Sequence, residues 1–371
     1  MKKIDILSYT NTANYGGLLQ LYSLSKVLST EYQVEVIRYK NGNSLQRSKL
    51  RNFLSFLYNK VFRFLSVDKR RQKNENVFRQ FIPFSTEEYN PSNPINTISC
   101  DYFITGSDQV WNPYLNGFDN SYLLSFDTKA KKISYAASFG IEKLPPKWAD
   151  EVKKALCGFK HISLREKTGE NILDSMPELN GLEKTVDLDP TLLISRKEWI
   201  DSFCVKRLFD KKYVLIYLMP GDKNLEKKII KLGKRVAKSK GCKLAIIGRK
   251  NIDKINPFKR GYYHAGPSEF VNLIYYSEFV LTNSFHGTAF SVNLNKDFVS
   301  FINSNQNSAS SLKSRIVDFL NSVSLTDAIF DINCSQEIKT ESLNFELSNT
   351  ILLKMREDSL MHLFNGLKNE K

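Results

Sequence analysis

Apolar residues in this chain fall into short runs, each ending in a polar turn and then a stretch where they recur at helical spacing. Ile4–Ser8 is the first run. The glycine-containing turn TNTANYGG follows, and Leu18–Leu28 then reads as a helix. Val34–Tyr39 predicts a second strand, and Tyr102–Thr105 a third that ends in the turn GSDQVWNP. Lys132–Ala136 and His161–Leu164 supply two more, each followed by helical sequence. A second series starts near Lys211. It holds strands at Tyr213–Leu218, Lys243–Ile247, Glu278–Leu281 and Asp297–Phe301, with helices at Asn224–Lys238, Pro267–Tyr276, His286–Asn293 and about Ser311–Asn321. Alternating strands and helices joined by short turns predict parallel sheets covered on both faces.

The two series imply two doubly wound, Rossmann-like α/β domains. A length of 371 residues agrees, because single cores usually stop growing before that size. VDLDPTLLISRKEW lies between them, and its Asp189–Pro190 step favours a turn. The predicted division is therefore residues 1–195, residues 196–340, and a helical tail over 341–371. Doubly wound domains bind ligands at the carboxyl ends of their strands, so two of them facing across a cleft predict a cleft enzyme.

Composition narrows the class. A hydrophobic fraction of 42% and a charged fraction of 25% suit a globular protein with sizeable cores. The N-terminus lacks the apolar region and cleavage site of a secretion signal, and no run is long enough to span a membrane. Five scattered cysteines without a CxxC pair or a Cys/His cluster argue against zinc and against a disulfide framework, which fits a reducing cytoplasm. The net charge of +15 is uneven: residues 41–80 carry ten Lys/Arg against Asp68 and Glu75. Leu50, Phe53, Leu54, Leu57, Val61, Phe64 and Leu65 recur there at helical spacing among Arg47, Lys49, Arg51, Lys60 and Arg63. Such a helix either covers a core with a basic solvated side or makes peripheral contact with an anionic membrane. No nucleic-acid recognition module is visible, so no nucleic-acid partner is expected.

Four turns concentrate the candidate chemistry. Asn14, Tyr15, Gly16 and Gly17 follow the first strand, where doubly wound folds bind anions, although a tight turn would also require glycine. Ser107, Asp108, Gln109, Trp111 and Asn112 combine a carboxylate, amides and an indole at a strand end, a mixture suited to sugar hydroxyls and a ring face. The competing account is a polar loop capped by Asp108. Arg165, in ISLRE, suits a carboxylate or phosphate, or a plain ion pair. Ser284, His286, Gly287 and Thr288, in LTNSFHGTAFSVNL, mark a strand-to-helix turn whose amides suit a phosphate and whose imidazole can exchange protons. His264, in YYHAGP, is held in reserve. No hydrolase motif is present.

Taken together, NYGGLLQLYSL, TGSDQVWNP, ISLRE, VDLDPTLL and TNSFHGTAFSVNL resemble the polysaccharide pyruvyl transferase family, over residues 4 to 320. The resemblance implies a GT-B-like fold and transfer of pyruvate from phosphoenolpyruvate to a hydroxyl pair of a sugar. The product is a cyclic ketal, with phosphate released, in bacterial surface-polysaccharide or cell-wall glycan synthesis. The acceptor is then a glycan or a lipid-linked oligosaccharide. Phosphoenolpyruvate is a co-substrate, and neither a further cofactor nor a metal is expected. Many members carry Arg two residues before the histidine, where this chain has Ser284. Arg165, Arg249 or Arg315 then become the candidate donor ligands, with His286 as acid, Asp108 as acceptor-side base or anchor, and Trp111 and Asn14 shaping the acceptor side. The rival expectations are a nucleotide-sugar glycosyltransferase on the same fold, or a silent glycan- or lipid-binding protein. Oligomeric state is not legible in the sequence.

Overall fold

A computed structural model of the chain describes residues 1–10, 15–40, 66–90, 92–115, 119–219, 223–247, 265–303, 312–334 and 338–368. These residues form two compact units. One draws on Met1–Leu65, Arg79–Leu193 and Met355–Lys371, the other on Ser66–Phe78 and Ile194–Lys354.

The first unit is built on seven strands: β1 (Lys3–Leu7), β2 (Gln33–Tyr39), β3 (Phe84–Tyr89), β4 (Tyr102–Asp108), β5 (Lys131–Ala137), β6 (Phe159–Leu164) and β7 (Lys184–Val186). Their order is β3-β2-β1-β4-β5-β6-β7, and every pairing is parallel. The second unit carries β8 (Tyr213–Tyr217), β9 (Lys243–Ile247), β10 (Phe279–Thr282), β11 (Phe298–Ile302) and β12 (Ile329–Asp331). Their order is β12-β11-β10-β8-β9, again all parallel. Strands buried on both faces read as unbroken apolar runs, and YVLIY in β8 is buried at all five positions.

The two α/β units arise as the pattern predicts, with two differences in where residues belong. Residues 66–78 join the second unit. There the Phe78 ring lies 5.6 Å from that of Phe203, while Arg79, in the first unit, donates to the Thr10 carbonyl at 2.9 Å. The tail is not a separate element either. Ser342 Oγ and the Leu343 amide donate to Asp297 in the second unit. Further along, Leu188 N donates to Ser359 Oγ and Tyr102 OH to the Leu367 carbonyl in the first. Of the basic stretch, residues 41–65 lie outside the described residues, and Ser66–Arg79 is helical. No described helix is long and apolar enough to cross a membrane.

Strand order locates the crevices. In the first sheet the chain winds one way from β1 and the other way from β4, so those two strands part at their carboxyl ends. In the second sheet the same reversal falls between β8 and β10.

Candidate functional site

At the first reversal, β4 runs past the predicted turn as far as Asp108, keeping register through Gly106↔Tyr135 and Asp108↔Ala137. Gly106 has φ +123°, and a Cβ there would stand 2.2 Å from the Tyr135 carbonyl oxygen, so only glycine fits. Asp108 follows in the left-handed region at φ 77°, which an Asp side chain tolerates through a local bond, here Gln109 N to its Oδ1 at 2.9 Å. A non-glycine residue in that region marks a position fixed by its surroundings. Between Ser107 and Asn112, Asp108 alone is more than marginally exposed, with 18% of its side chain accessible.

Behind it lies a buried polar network. Gln20, on the helix Tyr15–Leu28 that follows β1, donates through Nε2 to Ser107 Oγ at 3.1 Å and to Asp189 Oδ2 at 2.5 Å. Arg165 Nη1 donates to the same Asp189 oxygen at 3.2 Å and lies 4.0 Å from Asp108 Oδ1, while its Nε is 3.6 Å from Glu166 Oε2. Asp189 Oδ1 also accepts from the Thr191 amide and hydroxyl, and Ser138 Oγ donates to Glu166 at 2.6 Å. Burial opposes the charge on Arg165, but Glu166, Asp189 and Asp108 outweigh it and hold its pKa above the ordinary value.

This geometry corrects several sequence expectations. Arg165 is 2% exposed at its side chain and committed to carboxylates. Three acids surround this one guanidinium. Arg165 is therefore held among carboxylates in the interior of the first unit, where the sequence suggested a residue reaching into a cleft. Trp111 is a core residue, 1% exposed, with its rings against Phe139 and Phe159 and Nε1 donating to the Tyr122 carbonyl at 3.0 Å. It offers no face to a sugar. Ser107, Gln109 and Asn112 are likewise buried, Asn112 Nδ2 donating to Gln109 Oε1. Tyr15, Gly16 and Gly17 are buried in the first turn of a helix instead of lying in an open loop. Asn14, Arg249 and His264 lie outside the described residues.

The second reversal is made chiefly of backbone. Asn283 ties the two strand ends together, accepting from Met219 N at 2.7 Å and donating to the Met219 carbonyl. Ser284 caps the helix Phe285–Asn293: its Oγ accepts from Gly287 N at 3.5 Å, and its carbonyl accepts from Thr288 N. Those two amides are thus bonded within the turn, and the cap does not use the amides of Phe285 and His286. Thr288 Oγ1 pairs with Ser300 Oγ at 2.6 Å and is fully buried. A Cβ on Gly287 would lie 2.3 Å from Thr282 Oγ1, so this glycine lets the helix sit close on β10. Ser284, Gly287 and Thr288 therefore shape the turn, and His286, 5% exposed, is the ionisable residue within it. Arg315 lies one turn before Phe319 on the helix Leu312–Ser322, and the Phe319 ring packs 5.8 Å from Phe285. Residues four apart share a helix face, so Arg315 is on the side turned toward the His286 helix.

Gln20, Glu166, Asp189 and Asn283 are absent from the candidate site residues read from the sequence, Asp189 entering there only as a turn residue. All four sit inside quoted motifs (NYGGLLQLYSL, ISLRE, VDLDPTLL and TNSFHGTAFSVNL), Gln20 as one polar residue within an apolar helix.

Solved structures with the same architecture include the S. aureus MnaA–UDP co-structure, 13% identical, covering 99% of this chain and 96% of that one at a TM-score of 0.50. The chain is also similar to a UDP-glucosyltransferase from Polygonum tinctorium, 10% identical, covering 100% and 99% at a TM-score of 0.49. At such identities the likeness is one of fold, two parallel-sheet α/β domains of the GT-B type. No curated protein matches the sequence significantly. The family model described as polysaccharide pyruvyl transferase does match, over residues 14–305. That span contains both strand-end sites and well over half the chain, and the chain accordingly belongs to the polysaccharide pyruvyl transferase family.

Proposed function

We propose that the protein is a phosphoenolpyruvate-dependent pyruvyl transferase that forms a pyruvate ketal on a hydroxyl pair of a glycan. The observation that carries this reading is His286 in the first turn of a capped helix at the strand-order reversal of the second sheet, inside the family match. A helix start favours anions, and the donor carries a phosphate and a carboxylate. Arg315, facing that helix, is the cation we assign to the donor carboxylate. The acidic cluster around Asp108 receives the acceptor hydroxyls.

In this reaction C3 of the enol takes one proton and becomes a methyl group, which makes C2 electrophilic. One sugar hydroxyl adds to C2, the C2–O bond to phosphate breaks, and a second hydroxyl closes the ring. The two hydroxyls release two protons; one replaces that delivered to C3 and the other leaves with phosphate. His286 delivers the proton and Asp108 relieves an attacking hydroxyl. His286→Ala should lower turnover by about 10²–10⁴.

The test is ligand-induced stabilisation of the full chain, comparing phosphoenolpyruvate with nucleoside diphosphates and nucleotide sugars. At a hundredfold excess over Kd, a ligand stabilises by about 2.7 kcal/mol. A shift with phosphoenolpyruvate that Arg315→Gln weakens supports the proposal. A shift with nucleotides alone would replace it with nucleotide-sugar transfer.

A further inference from the structure

The helix Lys223–Ser239 has two unlike faces. Leu225, Glu226, Ile229, Gly233, Val236 and Ala237 are buried on its sheet. At 100° per residue they fall within an arc of about 120°. The opposite arc, about 140° wide, carries Lys223, Lys227, Lys228, Lys231, Lys234 and Lys238 with Arg235, all exposed. Glu226 is the helix's only acid, and it faces inward at 2% exposure. Among the described residues, none of the seven cations makes an ion pair or a side-chain hydrogen bond. They span about 23 Å of helix at 1.5 Å per residue.

A solvated helix face usually mixes charge signs, because like charges one turn apart repel. Here Lys223, Lys227, Lys231 and Arg235 follow one another at intervals of four, and Lys234 and Lys238 continue the same face. No acid shares that face with them. An anionic partner lying along the stripe would relieve the repulsion.

We infer that this helix face is a docking surface for an anionic lipid bilayer. Six of the seven cations are lysines, compact charges without the planar fork that reads phosphates or bases in fixed geometry. The exposed arc offers no aromatic ring on which a base could stack. A lysine stripe on an amphipathic helix is instead suited to a diffuse negative surface, at about 1 kcal/mol per cation. The helix also starts just beyond the carboxyl end of β8, the end of the sheet that holds Asn283 and His286. The inference stands on the charge pattern and does not depend on the reaction proposed above.

The experiment is co-sedimentation of the full chain with phosphatidylcholine vesicles, with and without about one-third phosphatidylglycerol. It compares wild type with Lys227→Gln/Lys231→Gln/Lys234→Gln and with Lys129→Gln/Lys143→Gln/Lys147→Gln, which removes the same charge from exposed positions of the first unit. Wild type should bind only the anionic vesicles, and binding should fade as salt rises. The helix triple should weaken binding about 100-fold, at about fivefold per lost charge, and the control triple should change it little. Equal loss in both triples would reduce the effect to net charge and overturn the inference. So would no preference for anionic vesicles, or tighter binding to a duplex DNA that the helix triple abolishes.

Discussion

The two strand-end sites occupy equivalent places in their sheets and are made in opposite ways. At the β1/β4 reversal, buried side chains hold one another: Gln20 and Arg165 meet on Asp189, and Arg165 reaches Glu166 and Asp108. At the β8/β10 reversal, the turn is shaped by a serine cap, a glycine in close contact and an asparagine clamping two strand ends. The first is acidic with its cation already committed. The second presents the start of a helix and lacks a carboxylate in the turn Thr282–Thr288. Sites so unlike suit partners of unlike charge, and this contrast divides acceptor from donor in the proposed reaction.

If the first site is held by its buried charges, removing the central cation should be costly. Arg165→Met leaves Asp189 and Glu166 buried without it, and should destabilise the first unit by about 3–5 kcal/mol. Arg165→Lys should recover part of this, since an ammonium cannot reach two carboxylates with the geometry of a guanidinium. Urea unfolding of the three proteins measures it. A loss below about 1 kcal/mol in Arg165→Met would mean that the network is peripheral to stability and that the contrast has been overdrawn.

The second site predicts a smaller effect. Ser284→Ala removes one cap from a short helix and should cost about 1 kcal/mol. Replacement by Asp, which also caps and carries a negative charge, should restore stability while opposing an anionic donor. Calorimetry with and without phosphoenolpyruvate separates the two consequences. A variant Ser284→Asp that binds the donor as wild type does would remove the helix start from the donor site.

Much of the fold is legible in the sequence, and the parts that are not share physical causes. β9 is found over Lys243–Ile247 because a continuous apolar run is bounded by a glycine turn. β3, β7 and β12 escape notice because their residues are mostly half solvated and polar residues interrupt them, whereas β9, also at a sheet edge, buries Ala245–Ile247 and keeps its apolar run. Glycine misleads twice. Gly106 suggests a turn where the strand continues, and Gly16–Gly17 suggest one where a helix begins. The site residues divide along similar lines. His286 is readable from a local strand-to-helix pattern, whereas the role of Gln20 depends on partners 87 and 169 residues away. Trp111 looks like a sugar platform until Phe159 and the Tyr122 carbonyl are seen to enclose it.

The gentlest test sets the first site against another buried acid on its own sheet. Asp5, on β1, is fully buried, but neither of its carboxylate oxygens finds a hydrogen bond of normal geometry. It has Lys3 Nζ at 3.4 Å and the Cys100 thiol nearby. Burial raises its pKa above the ordinary 3.8 despite the opposing pull of Lys3. A folded-state pKa above the unfolded one means that the native state binds the extra proton. Stability is then retained below the unfolded value and declines as pH rises through the folded one. Asp5→Asn keeps the shape and removes the ionisation, so it should match wild type near pH 4 and be more stable at neutral pH, by about 1 kcal/mol or less. Asp189→Asn should do the reverse at neutral pH, because that carboxylate accepts four hydrogen bonds, one of them from Arg165. Thermal melts across that pH range compare the two variants directly. If both lose stability at neutral pH, burial alone does not decide the fate of a carboxylate in this sheet, and the network at the β1/β4 reversal is less distinctive than its geometry implies.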